Sequence, residues 1–544
     1  MSIFVAKAAL ALMLIPVTYV LYCGILYRHN RKSLKYLRGP PKTSFFMGAE
    51  YELMLQEEAY QLESKWFKEY GTAFRASTYF SEDLLMVADP GALQYILHTS
   101  GYRFPKPQDV TQSSRFLNGC GIINAEGEVH NRHRKALNPA FSAKQLRQFL
   151  ELFQQSTAKL ASKWQQQLDD ATDGELVVNV CHWLPKTTLD IIGESAFNYK
   201  FGSLDGKETE LGNIFENLFV DSRIHLPKLQ LLYRSFRRDL PTPIADFLLN
   251  FPTKEEKRFL GFLTASKKIG KPILEKGTKE KIPEEEGKDI LSILVRANQE
   301  VDEKKSMNED EVLSQITTFL VAGHETTASA TTWILYSLAK HPKIQARVYQ
   351  EIQDLRELIG ANEPTVQDLD SMPYLNAVIK ETLRCFPIVP HITREAHSDD
   401  VIPLEFPVAG VSGDPVSRIP VSKGQRILID IAVYNKLPQI WGEDAEEWRP
   451  ERFLESFKMA ATTVGVYSNL LTFSAGIRAC IGWRFAVMEL QALVFGLLEK
   501  FEFCPPPSGE LDEIQAVSFA LIMPMKRNRW REGKQMPLFV KARN

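Results

Sequence analysis

The sequence predicts a mainly helical protein with a small β lobe, preceded by one N-terminal transmembrane helix. Three observations predict it. Long amphipathic segments such as residues 51–70 and 143–169 dominate the chain. Short β-rich pieces occur at residues 84–87 and 424–433, where Gln425-Arg426-Ile427-Leu428-Ile429-Asp430 reads as a partly buried strand. Residues 8–27 form a run of about 20 mostly apolar residues, enough to cross the hydrocarbon core as a helix.

The apolar run ends abruptly in Arg28, Arg31, Lys32 and Lys35, while Lys7 alone precedes it, so the positive-inside bias places everything after it in the cytosol. Pro16 is tolerable within the span, and Lys7 can snorkel from its edge. A cleaved signal peptide is the competing reading, but the run is long for one and no A-x-A-like site immediately precedes the basic cluster. Leu37-Arg38-Gly39-Pro40-Pro41 then makes a stiff, non-helical elbow. The division is therefore residues 1–36 as anchor and basic stop, and residues 37–544 as one large folded unit. No repeat and no Gly/Ser-rich or Pro-rich linker divides that unit further.

A formal charge of -2 offers no global electrostatic argument for a nucleic-acid partner. Cys23, Cys120, Cys181, Cys385, Cys480 and Cys504 are scattered, with no CxxC pair and no His at zinc spacing. That argues against a disulfide scaffold or structural zinc and fits a reducing, cytosol-facing environment. The charged stretch at 267–288 reads as solvated surface, either helix face or loop.

Residues 307–341 are unusually long for a globular helix. Asn308 and Glu311 form a capping pair at the start, and Pro342 ends it. About 35 residues at roughly 1.5 Å each make a rod of roughly 50 Å, long enough to traverse a domain with its centre buried. Yet that centre reads Ala322-Gly323-His324-Glu325-Thr326-Thr327. Polar and flexible residues where a core helix would carry Leu or Ile mark a site.

Phe473-Ser474-Ala475-Gly476-Ile477-Arg478-Ala479-Cys480-Ile481-Gly482 precedes a strongly apolar helical run, which puts Cys480 in a loop entering a helix, where the N-terminus favours the thiolate. Gly476 permits a tight turn, Gly482 the close approach of a flat cofactor, and Arg478 can meet a carboxylate or propionate. An isolated buried cysteine is ordinarily an inert small hydrophobe. The whole pattern, however, resembles the cytochrome P450 haem-binding signature Phe-x-x-Gly-x-Arg-x-Cys-x-Gly at every defined position. The resemblance runs from the Gly39-Pro40-Pro41 elbow to the apolar segment around Phe519. It implies the cytochrome P450 fold around a buried haem b, with Cys480 as proximal ligand of the iron, and Phe473, Gly476, Arg478 and Gly482 as the rest of the cofactor loop.

Further motifs follow in the family's order. Glu381-Thr382-Leu383-Arg384 alone would be an ordinary solvated helix pair; with Arg449-Pro450-Glu451-Arg452-Phe453 it implies a buried, structural Glu381-Arg384-Arg452 network that braces the thiolate loop. The centre of the long helix resembles the oxygen-activating motif, which assigns Glu325 and Thr326 as the acid and alcohol that relay protons, with Gly323 leaving room for the helix to approach the haem. A Thr-rich helix kink is the bland alternative. His130-Asn131-Arg132-His133-Arg134 resembles the Trp/His-x-x-x-Arg segment, making His130 and Arg134 propionate partners, with Arg394 as a third. His stands where Trp is commoner in the family.

The resemblance implies a monooxygenase that inserts one atom of O2 into a lipophilic small molecule. Phe319, Ala322, Val389, Ile392 and Phe519 are expected to line the pocket, although core packing explains the same residues equally well. The stretch Phe247-Leu248-Leu249-Asn250-Phe251-Pro252 reads either as a dip into the bilayer or as a buried loop. Similarity of the elbow and of the segment after Arg134 to fungal microsomal members implies a tailoring step on a terpenoid or other secondary metabolite. Fatty-acid, sterol or xenobiotic hydroxylation is the alternative. In other classes stand a haem-thiolate isomerase or dehydratase, against which the Glu325-Thr326 pair argues, and a non-catalytic haem-binding protein. No flavin or nicotinamide domain is evident, so electrons are expected from NADPH-cytochrome P450 reductase, or cytochrome b5 as a second donor, at the endoplasmic reticulum membrane.

Overall fold

The computed structural model describes residues 18, 34–171, 176–207, 212, 218–220, 228–238, 240, 242–279, 288–299, 306–455, 462–518 and 520–543. The apolar run at 8–27 and Phe519 lie outside the described residues, Thr18 excepted. Among the described residues no helix is long and apolar enough to cross a membrane.

Helices make up most of the described chain, and short strands form four small sheets. The expected strands are present, as Asp83–Val87 and Arg426–Asp430. They pair in parallel inside a four-stranded sheet, with Ala73–Ser77 on one edge and His391–Glu395 on the other. Arg426–Asp430 is buried at every position, which explains its near-continuous apolar run.

The long segment forms one helix, Glu309–Lys340, of 32 residues. Its capping box is complete: the Glu311 amide donates to Asn308 Oδ1 at 2.9 Å, and the Asn308 amide donates to Glu311 Oε2 at 2.9 Å. Glu311 also receives both Arg132 guanidinium nitrogens, at 2.9 and 2.6 Å, so one cap ties this helix to Gly127–Leu137. Four threonines along it, Thr318, Thr326, Thr331 and Thr332, donate back to the carbonyl four residues earlier. The helix runs on through all of them.

Val180–Phe197, Lys254–Lys279 and Trp483–Lys500 pack around this rod. Gly323 serves that packing: a Cβ there would sit 2.7 Å from Ile192 Cδ1 of Val180–Phe197. Gly323 also lies on the wall of the cavity that the helix borders.

Residues 51–70 form two helices, Gly48–Leu55 and Gln61–Tyr70. The break is held by Gln56, whose side chain bonds the Glu63 carboxylate and accepts from the Leu62 amide, while Tyr60 takes φ of 74°. Residues 143–169 become a short helix, a 3-10 turn and Leu150–Asp170. The charged stretch is helical up to Lys279.

Candidate active site

Between the central helix and the loop before Trp483–Lys500 lies a cavity of about 570 Å³. Ala322, Gly323, Thr326 and Thr327 form one wall, and Thr472, Phe473, Ser474, Arg478, Ala479, Cys480, Ile481 and Gly482 face it from the loop. The expected lining residues Phe319, Ala322, Val389 and Ile392 all reach it.

The loop is shaped by Gly476, which takes φ of +65° and approaches Leu97 so closely that a Cβ would lie 1.8 Å from the Leu97 carbonyl oxygen. No side chain fits there. The Cys480 amide closes the turn on the Phe473 carbonyl at 2.8 Å. Cys480 is exposed by surface area although it lies deep in the protein, because the surface it exposes lines the cavity. Burial pushes its thiol up, against the Gly482 backbone N–H and the Arg134 guanidinium, which pull it down. The N–H at the helix start and the adjacent Arg134 both favour the thiolate, against the burial that raises the thiol. A Cβ on Gly482 would meet Phe141 at 3.7 Å and nothing nearer, so the space above this glycine is open.

Behind the loop, Glu381, Arg384 and Arg452 come together with almost no solvent exposure. Arg384 donates to both Glu381 oxygens at 2.8 Å, and Arg452 Nε lies 3.5 Å from Glu381 Oε1. Arg384 also donates to the carbonyls of Asn435, Ala445 and Glu447, and Arg452 to those of Trp441 and Asp444. Distant chain segments are thereby clamped with every charge compensated.

At one end of the cavity the charge is lopsided. Lys106, Arg134, Arg394 and Arg478 line it, and Glu126 is the carboxylate that answers them among the described residues. Glu126 is in contact with Arg478 and lies 3.1 Å from Lys106 Nζ. Arg134 donates to the Ala479 carbonyl at 2.5 Å. Among the described residues the Arg394 guanidinium donates to the Thr393 carbonyl alone, at 2.9 Å, and burial lowers it to about 10. Burial likewise lowers Lys106 to about 8, and it lowers His130 to about 4 with help from Lys106 and Arg478, so His130 is neutral. Its Nδ1 is 2.8 Å from the Tyr102 hydroxyl. Uncompensated buried cations are strongly unfavourable, and this end suits an anion of more than one charge beside a thiolate. Haem, with paired propionates and an iron that takes a cysteine sulfur, fits both demands. Lys106, Glu126 and Tyr102 were missed from sequence because isolated Lys, Glu and Tyr carry no spacing signal.

Glu325 and Thr326 part company. Thr326 lies on the cavity wall with Oγ1 2.6 Å from the Ala322 carbonyl. Glu325 lies off the wall, buried, its carboxylate in contact with Lys534 Nζ. Successive helical residues point about 100° apart, and Lys534 takes the carboxylate on the far side. Burial opposes ionisation of Glu325, but the Lys534 and His324 charges and the Lys534 hydrogen bond outweigh it and hold the carboxyl below its usual range.

A family model described as Cytochrome P450 matches residues 38–531. Among curated proteins, the chain is 36% identical to Cytochrome P450 monooxygenase 128 of Postia placenta, over 93% of this chain and 92% of that protein. It is 31% identical to Cytochrome P450 monooxygenase claQ of Ampulloclitocybe clavipes, over 93% and 92% respectively. It is 33% identical to Ganoderic acid synthetase CYP5150L8 of Ganoderma lucidum, over 91% and 92%.

Proposed function

The chain belongs to the cytochrome P450 family, a haem b monooxygenase by membership, and from that premise we propose that it oxidises a lipophilic secondary metabolite, terpenoids foremost, with Cys480 as the iron's ligand. The observation that carries the site assignment is the cavity itself, where one cysteine and a surplus of buried arginine and lysine meet. Bound haem b supplies the activation of O2 and insertion of one oxygen atom into the substrate. Everything else falls to the chain's own side chains.

When haem is bound, Cys480 Sγ would hold the iron as thiolate, and Arg134, Arg394, Arg478 and Lys106 would hold the propionates, with neutral His130 as a further hydrogen-bond partner. Phe473, Gly476 and Gly482 shape the loop that carries the sulfur. The Glu381-Arg384-Arg452 clamp keeps that loop rigid from behind. Thr326 Oγ1 presents a proton into the cavity after releasing the Ala322 carbonyl. Glu325, ionised while it faces Lys534, can replenish that proton only after it leaves Lys534, takes up a proton from water and rotates toward Thr326. The apolar wall of Phe319, Ala322, Val389 and Ile392 excludes water and holds the substrate.

Electrons come from a reductase partner, as the family generally requires; NADPH-cytochrome P450 reductase is the donor we assign, with cytochrome b5 as a second. We place the protein at the endoplasmic reticulum membrane, anchored by residues 8–27, with residues 37–544 as the cytosolic catalytic domain. In support, Phe45, Phe46, Leu229, Phe247 and Phe251 are all exposed aromatic or aliphatic side chains. Met47, just before helix Gly48–Leu55, packs with Tyr79 and with Leu231 of Lys228–Arg238. The name of the Ganoderma lucidum relative supports a biosynthetic role.

The test is the reduced, carbon-monoxide-bound absorption spectrum of the protein beside Cys480→Ser. A strongly red-shifted Soret band in the parent, absent from the variant, is expected. A folded, haem-loaded parent without that band overturns the thiolate assignment and the proposed mechanism together.

A further inference from the structure

One polar side chain on the cavity wall is used neither by the fold nor by the charged end. His391 opens the strand His391–Glu395, and its backbone pairs with Asp430. Its ring lines the cavity beside Ile388, Val389 and Ile392. Among the described residues the ring nitrogens make no hydrogen bond or ion pair. Its surface is only partly covered although it lies deep in the protein, because the uncovered part faces the cavity.

Several other polar groups of the wall are engaged within the fold, although among the described residues Asn124 Oδ1 and Ser474 Oγ are also without a hydrogen-bond partner. Thr318 Oγ1 donates to the Ser314 carbonyl at 3.0 Å, Thr326 Oγ1 to that of Ala322 at 2.6 Å, and Ser114 Oγ accepts from Asn118 at 3.0 Å. Burial lowers the His391 imidazole to about 4, so at neutral pH it offers one N–H and one lone pair and carries no charge. A buried polar group left without a partner is unfavourable, and a pocket holding one in an apolar wall selects ligands that complete it.

We propose that His391 is the polar anchor of the substrate pocket, and that the substrate is a lipophilic molecule already carrying a hydroxyl or ketone oxygen. This rests on the monooxygenase reading and deepens it. Fixing one oxygen at His391 fixes which carbon faces the Cys480 side, so the anchor sets regiochemistry. The reaction that supplies this substrate must leave an oxygen on a hydrocarbon skeleton, as an earlier oxygenation or a water-terminated cyclisation does.

The experiment measures dissociation constants on the haem-loaded full chain for matched hydrocarbon and alcohol pairs of rising size: bornane and borneol, cedrane and cedrol, androstane and androstanol. Spin-state difference spectra give the constants, and equilibrium dialysis checks them independently of the haem. In at least one pair the alcohol should bind about three- to tenfold more tightly than its hydrocarbon. His391→Leu should erase that preference while still binding the hydrocarbon, and His391→Gln, which keeps a donor and an acceptor, should retain it. The anchor is overturned if no alcohol is preferred, or if the preference survives in His391→Leu. Each preparation is checked for its reduced carbon-monoxide band, so a failed anchor with the band intact leaves the monooxygenase reading standing, whereas a parent without the band fails that reading first.

Discussion

Glu489 gives the sharpest quantitative test of this structure. It lies on Trp483–Lys500, the helix that follows the Cys480 loop, fully buried, with neither carboxyl oxygen in hydrogen-bond geometry with a partner. Burial pushes its carboxyl up to about 8 from an ordinary value of 4.5, with the Thr327 hydroxyl easing the shift. The folded protein therefore keeps a proton there that the unfolded chain has lost, throughout the interval between those two values. Stability must fall as pH rises across that interval, because the folded state binds more protons. Between pH 6 and 8 the unfolded carboxyl is ionised and the folded one mostly is not. Two pH units at about 1.4 kcal/mol each, less the half-titrated top of the range, give a loss of about 2 kcal/mol. Glu489→Gln removes this term and leaves the other titrations in place, so the double difference isolates it. The measurement is urea unfolding of the parent and Glu489→Gln at both pH values. The parent should lose about 2 kcal/mol more than the variant between them. Equal losses would mean that Glu489 is ionised in the fold, and the reasoning from burial would be wrong.

Arg384→Leu leaves Glu381 buried without its bidentate partner and should cost about 3–5 kcal/mol in denaturant unfolding; a loss below about 1 kcal/mol would show that Arg452 suffices alone. Gly476→Ala forces a Cβ against the Leu97 carbonyl at a positive φ, so the variant should purify with little haem, read as a collapsed Soret-to-protein absorbance ratio, and normal loading would contradict the loop geometry. Glu325→Gln removes the carboxyl that Lys534 holds and that must reach Thr326; product formed per NADPH consumed should fall and peroxide rise, Glu325→Asp should restore part of the coupling, and unchanged coupling in Glu325→Gln would separate Glu325 from proton delivery.

The sequence by itself determined whatever depends on neighbours along the chain. The capping box of Asn308 and Glu311 needs three residues of spacing and formed as expected. Cys480 sits in a loop opening a helix because Gly476 and the apolar run after Gly482 leave the backbone little choice. The buried strand Arg426–Asp430 and the pairing of Glu381 with Arg384 one turn later were legible for the same reason. Tertiary structure decided what requires segments far apart to meet. Arg394 and Arg478 gather with Lys106 and Arg134 at one end of a cavity only once four elements converge. Glu325 turned away from Thr326 because Lys534, 209 residues further on, came to its far side. Gly323 turned out to make room for Ile192 as well as to line the cavity, and Glu489 to be fully buried with the Thr327 hydroxyl beside it. Spacing along a helix fixes which face a residue takes, but the charge and volume waiting at that face belong to other parts of the chain, and they set whether a side chain is paired, neutral or exposed to the cavity.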